Sequence, residues 1–188
     1  MNLKKLLFGS IVFFLFVASK EITTTDYLNL PTTPFEYNVS LPNYYANNVA
    51  NIDNSPVTNP ITNNGATLGR VLFYDKNLSI NRTVACASCH KQNEGFSDSR
   101  TLSIGFAGGA TDRHGMTMLN ARYYTRGRFF WDERAATLED QVLQPLQNTV
   151  EMGLTAAQIS ERVSEQPYYN QLFINAFGDN TMKLFKLI

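Results

Sequence analysis

Cys86-Ala87-Ser88-Cys89-His90 is the stretch that decides how this chain is read. Two cysteines three apart, with a histidine directly after the second, form the C-x-x-C-H pattern by which a c-type haem is attached. Two thiols add to the haem vinyl groups, and the two residues between them set both sulfurs along one porphyrin edge. The adjoining histidine then swings beneath the ring to ligate iron. These are the only cysteines in the chain, and His90 is one of only two histidines, so haem c would be present once. Two other chemistries use the same residues. A redox dithiol expects a strand–helix–strand setting, which is not evident around Cys86. A zinc site would have to recruit Cys86, Cys89, His90 and His114, the whole supply of cysteine and histidine.

Working outward, the flanking sequence reads as mainly α. Thr67 to Tyr74 sets Leu68, Val71 and Leu72 on one helical face. Thr137-Leu138-Glu139-Asp140 opens a second helix with an apolar stripe of Leu138, Val142 and Leu143, expected to end at Pro145. Thr155 to Gln158 is a capping box leading through Ile159 and Val163 toward Pro167, and Tyr168 to Phe177 forms a further helix closed by Gly178. Gly95, Gly105, Gly108, Gly109 and Gly115 crowd into one stretch, which predicts a long glycine-rich loop.

The N-terminal third is different. Met1 to Lys5 is basic, and Leu6 to Ala18 carries no charge, which is the pattern of a secretory signal peptide over 1–19 with a mature start near Lys20 or Glu21. The apolar run is too short to cross ~30 Å of hydrocarbon comfortably, although an uncleaved anchor is the competing reading. Haem attachment on the outer side of a bacterial membrane agrees with export, so a periplasmic location is expected. Residues 20–60 hold five of the seven prolines (Pro31, Pro34, Pro42, Pro56 and Pro60) among many asparagines, and read as a linker without long helices. The 188 residues suit one domain, here placed at 61–178. Hydrophobic residues make up 44%, enough for a packed core, and the net charge of zero excludes a general nucleic-acid binder.

The motifs around the haem pattern carry a family likeness. Leu68-Gly-Arg-Val-Leu-Phe-Tyr-Asp75, Leu78-Ser79 and Asn81 precede it; Gly95-Phe-Ser-Asp98, Ser103-Ile-Gly105, Phe130-Trp-Asp132, Arg134, Gln141, Pro145 and Val150-Glu-Met152 follow. In order and spacing these resemble the N-terminal haem domain of the bacterial di-haem cytochrome c peroxidases. The resemblance implies a cytochrome c-like haem domain that reduces hydrogen peroxide, with electrons from a small cytochrome c or copper protein. It implies His90 as proximal iron ligand, Trp131 as an electron relay between haems, and Gln141 with Glu151 as the distal polar pair. Met152 is read as core rather than as a ligand. A mono-haem electron carrier without catalytic duty, and a protein-modifying di-haem oxidase, are the competing functions.

Two positions depart from the family pattern. Phe106 stands where many members have a distal histidine, which implies an iron whose sixth position is open. His114 stands where the family usually has asparagine as a calcium ligand, so calcium binding is in question; His114 as the sixth iron ligand is the alternative. The sequence has no second C-x-x-C-H, and residues 179–188 read as the start of a following helix, which points to a truncated product, with a second haem domain on another chain as the alternative.

Overall fold

The structure, a computed structural model, describes residues 28–180. The signal peptide expected at 1–19 and all but the first two residues of the stretch expected at 179–188 lie outside the described residues. The described residues form six α-helices: α1 (Asn43–Val49), α2 (Asn63–Tyr74), α3 (Cys86–Cys89), α4 (Leu138–Gln147), α5 (Ala156–Ser164) and α6 (Pro167–Phe177). Among the described residues there is no strand, only three isolated antiparallel bridges, and no helix long and apolar enough to cross a membrane. The fold is mainly α.

Helix starts and stops follow the capping chemistry. The Thr155 hydroxyl accepts from Gln158 N–H, and the Gln158 side chain accepts from Thr155 N–H, a complete capping box. At Thr137 only half of that arrangement forms, with the hydroxyl accepting from Asp140 N–H. Pro167 sits in the first turn of α6, and Gly178 closes the helix with φ at +79°. Helix α4 departs from expectation, continuing through Pro145 to Gln147. Pro145 lies so near the end that only one internal hydrogen bond is forfeited, and Asn148 N–H closes the turn on Gln144 O at 2.8 Å. Its buried residue is Leu146, while Leu138 is exposed.

The core is one cluster: Leu68 and Leu72 of α2, Leu78, Leu146, Met152, Leu154, Ile159 and Val163 of α5, and Tyr169, Leu172 and Phe173 of α6. Helix α2 packs on α6 and on α3, so the turn bearing the two cysteines sits on the most apolar part of the domain. The proline-rich stretch lies against the domain rather than apart from it. Tyr37 N–H donates to Asn63, Asn54 bonds the Tyr124 carbonyl at 2.9 Å, and Asp53 pairs with Arg122 at 2.6 Å.

Candidate haem site

Cys86 and Cys89 begin and end the single turn of α3, and both thiols are free and partly buried. Burial pushes the Cys86 thiol up to about 11 and raises that of Cys89 as well. Redox dithiols and zinc-binding cysteines need the opposite shift, toward thiolate. Among the described residues no three His, Cys, Asp or Glu side chains converge to hold a metal ion. The zinc set of Cys86, Cys89, His90 and His114 is not brought together among the described residues.

His90 follows at the end of α3, and its orientation is set by the next turn. Gly95 and Phe96 both take left-handed backbone, φ +65° and +56°, which is unusual for phenylalanine. The turn closes with Phe96 N–H on Lys91 O and Lys91 N–H on Ser97 O, both at 2.8 Å. It aims the Phe96 carbonyl at His90 Nδ1, 3.1 Å away. A carbonyl can only accept, so Nδ1 carries the proton and Nε2 is the nitrogen with a lone pair. Fixing a ligand's tautomer through its other nitrogen is the usual outer-shell device of metal-binding histidines.

Asp98 anchors the same turn from inside. Its buried carboxylate pairs with Lys91 Nζ at 2.6 Å and accepts from Arg100 N–H and from the Ser103 hydroxyl at 2.9 Å. Burial alone would raise its pKa, but the hydrogen bonds from Lys91, Arg100 and Ser103 win and hold it down at about 2.

On the other side lies Glu151. Residues 105–109 and 150–153 run against one another: Phe106 N–H donates to Glu151 O at 3.0 Å, and Ile80 N–H to Met152 O at 2.8 Å. A Cβ on Gly105 would fall 1.7 Å from the Val150 carbonyl oxygen, and one on Gly153, φ +77°, would meet the Phe106 ring at 2.7 Å. Backbone approach this close admits only glycine. The Phe106 ring thus packs by Gly153 and Ile80, while its carbonyl accepts from Asn81 at 2.7 Å. Glu151 is half-buried; burial raises its carboxyl above the usual range, Arg134 opposes that, and Asp112 adds to it. Its charge also reaches Cys89 and helps to raise that thiol. Met152, beside it, is buried in the core.

Glu151 lines a cavity of about 440 Å³ with Phe130, Arg134, Gln144, Pro145 and Asn148. Arg134 stacks on the Phe130 ring at 3.5 Å and is held by Asp132 and by Gln144 at 2.8 Å. Gln141 does not line this cavity. It lies one turn earlier on α4, three and four residues before Gln144 and Pro145 and so on the same face. Trp131 is 58% exposed, with its indole N–H donating to His114 O at 2.9 Å. The His114 ring is engaged at both nitrogens, Nδ1 on the Arg100 carbonyl at 3.0 Å and Nε2 at 3.1 Å from the Ser97 hydroxyl.

Residues 63–187 match the di-haem cytochrome c peroxidases. The chain belongs to that family. The methylamine utilization protein MauG of Methylophilus methylotrophus is 37% identical over 128 residues, which are 68% of this chain and 38% of that protein. Cytochrome c551 peroxidase of Pseudomonas aeruginosa is 33% identical over 118 residues, 63% of this chain and 34% of its own. Among solved structures, a MauG-like protein associated with microbial copper homeostasis superposes with a TM-score of 0.68 at 33% identity, covering 81% of this chain and 45% of that one. The chain thus spans between 34% and 38% of the length of these two curated relatives.

Family membership implies haem c, and the residues present fit it. Two protonated, partly buried thiols share one helical turn on an apolar cluster, and the neighbouring histidine has its tautomer already fixed. The family motif includes Arg134 without giving it a role, and nothing in the sequence motifs points to Gln144. The signal that could have found Gln144 is its helical spacing from Gln141; for Arg134 it is the aromatic three and four residues before it.

Proposed function

We propose that this chain is the peroxide-reducing domain of a di-haem peroxidase. One haem c would be held through Cys86 and Cys89, with Nε2 of His90 as the nitrogen available to its iron. The domain reduces hydrogen peroxide to water with electrons from a small periplasmic cytochrome c or copper protein, delivered through a second haem domain. The uncharged run at Leu6–Ala18 supports export.

Glu151 carries the reading. It is a half-buried carboxyl with a raised pKa, close enough to Cys89 to act on it electrostatically, and it borders a polar cavity. Reduction of one peroxide consumes two electrons and two protons, breaks the O–O bond and releases two waters. The haem supplies the iron at which that bond is reduced. Glu151 takes the proton from one peroxide oxygen and returns it to the other, so that the departing oxygen leaves as water; such help is worth ~100–10,000-fold in rate. Arg134 stabilises the anionic form of Glu151, and Gln144 keeps Arg134 in place. Gln141, on the same helix face, orients the peroxide. Trp131 presents an exposed indole edge toward the electron-delivering domain.

The ferric spectrum tests this directly. With Phe106 folded against Gly153, Met152 in the core and both His114 nitrogens engaged, the haem protein should be high-spin and should bind cyanide without prior reduction. Glu151→Gln should leave cyanide binding intact and slow the reaction with peroxide by ~100-fold or more. A low-spin ferric spectrum that peroxide does not alter would make the domain an electron carrier instead.

A further inference from the structure

The core contains two tyrosines that packing alone does not explain. Tyr169 is fully buried and Tyr168 nearly so; their ring centroids are 4.7 Å apart. Both hydroxyls donate to one oxygen of Asp75, Tyr169 at 2.8 Å and Tyr168 at 3.2 Å. The other carboxylate oxygen accepts Asn77 N–H at 2.8 Å, which fixes the group in place at the end of α2. Phenylalanine would fill the same volume without bringing a carboxylate to the edge of the core. Burial and the neighbouring carboxylate both hold the two phenols protonated, Tyr168 up to about 12 and Tyr169 higher still.

This group adjoins the haem attachment point. Cys86 packs on the cluster that contains Tyr169. At the far end, Tyr168, Asp75, Arg70 and Tyr74 line a surface cleft of about 330 Å³. The sequence of groups runs from haem-bearing cysteine to buried tyrosine to second tyrosine to surface.

We propose that Tyr169 and Tyr168, with Asp75 as their shared proton acceptor, form a relay that carries an oxidising equivalent from the haem edge at Cys86 to the surface cleft. The oxidant is the peroxide-oxidised haem, so the relay rests on the peroxidase reading. Tyr169 gives one electron to that haem, and its phenolic proton passes to Asp75, leaving a neutral tyrosyl radical. Tyr168 then gives an electron to Tyr169; the proton on Asp75 returns to Tyr169 while the Tyr168 proton takes its place. A one-electron donor of the phenol or enediol class at the cleft reduces Tyr168, which recovers its proton from Asp75. Over the cycle one electron travels from cleft to haem, and Asp75 ends as it began. A phenol without a base beside it would have to form a cationic radical in an apolar core, which is far more costly; Asp75 removes that cost.

The test uses the full haem-bearing chain. After rapid mixing with peroxide and freezing, electron paramagnetic resonance should show a tyrosyl radical that Tyr169→Phe abolishes and ascorbate quenches. Asp75→Asn keeps the volume and an accepting oxygen but lacks the basicity, so it should also lose the signal; it serves if Tyr169→Phe fails to hold haem. A second arm oxidises the protein by flash-quench with a ruthenium tris-bipyridine complex and needs no peroxide chemistry. Should peroxide leave the haem spectrum unchanged, the peroxidase reading fails. The flash-quench arm then decides the relay alone, through a tyrosyl signal present in the unaltered chain and lost in Tyr169→Phe or Asp75→Asn. A haem that reacts with peroxide without yielding a radical, or a radical unchanged in both variants, overturns the relay.

Discussion

Around Val163 and Phe173, both wholly buried, helices α2, α5 and α6 are held by apolar side chains packed on one another. Between Lys91 and Ala135 the chain has no α-helix and almost no apolar core of its own. It is held there by a buried carboxylate, three isolated bridges and glycines pressed against backbone. The first region gains its stability from area removed from water, a term indifferent to small displacements. The second depends on hydrogen bonds and contacts that are right at one geometry only. His90, Phe96, Trp131 and Arg134 all belong to the second region or its edge. Positional accuracy at the site therefore comes from the part of the molecule that contributes least to the core.

That contrast can be broken first at the core. Phe173→Ala removes a side chain with no exposure and should cost ~3–5 kcal/mol in denaturant unfolding, because a cavity is left behind. Helical circular dichroism and the haem site should fall together. A loss below ~1 kcal/mol would show that α6 is not where the stability lies.

Gly105→Ala should cost less overall, ~1–3 kcal/mol, as overpacking usually does. Its added carbon falls 1.7 Å from the Val150 carbonyl oxygen, so residues 105–106 and 150–151 must part. The hydrogen bond from Phe106 to Glu151 goes with them. The expected signature is an intact helical spectrum with a haem protein that reacts slowly with peroxide. If helicity falls in step with reactivity, the two regions are not separable.

Asp98→Asn sharpens the comparison through pH. Loss of the Lys91 pair and weakening of the Ser103 bond should cost ~1–3 kcal/mol at neutral pH. The carboxyl is depressed from 3.8 to about 2, so its contribution is complete above 3.8 and fades as pH falls toward 2. Unfolding curves of the parent and of Asp98→Asn should converge over that interval. Curves that stay parallel would mean that Asp98 acts only by shape.

The same division governs what the sequence discloses. Helical spacing and caps at Thr137, Thr155 and Gly178 announce α4 to α6, because an amphipathic period and a capping hydroxyl are local facts. The passage of α4 through Pro145 is not announced, since it depends on how little of the helix remains after the proline. The haem pattern is legible because two thiols and a histidine must be adjacent in sequence to meet one porphyrin. The support of His90 by Phe96 is hidden: left-handed backbone at Phe96, and again at Phe130 with φ +70°, runs against what phenylalanine favours. Nor does sequence separate Gln141 from Gln144, which share a helix face. Only the placement of Arg134 draws Gln144 into the cavity wall.

The smallest effect on stability is expected at Trp131, a residue tied to function by resemblance alone. Trp131 is 58% exposed and contributes one hydrogen bond, to the His114 carbonyl. Trp131→Phe should therefore change unfolding free energy by no more than about 0.5–1 kcal/mol, the range for an exposed residue losing a single bond. Reaction of the haem with peroxide should be unaltered as well, because Trp131 itself does not line the cavity beside Glu151. On the proposed relay role of Trp131, electron delivery from a donor protein should slow in a protein that also carries the second haem domain. Stopped-flow traces with and without donor separate the two steps. A stability loss above ~2 kcal/mol would place Trp131 among the packing residues, and the difference drawn between the two regions would then fail at its most exposed point.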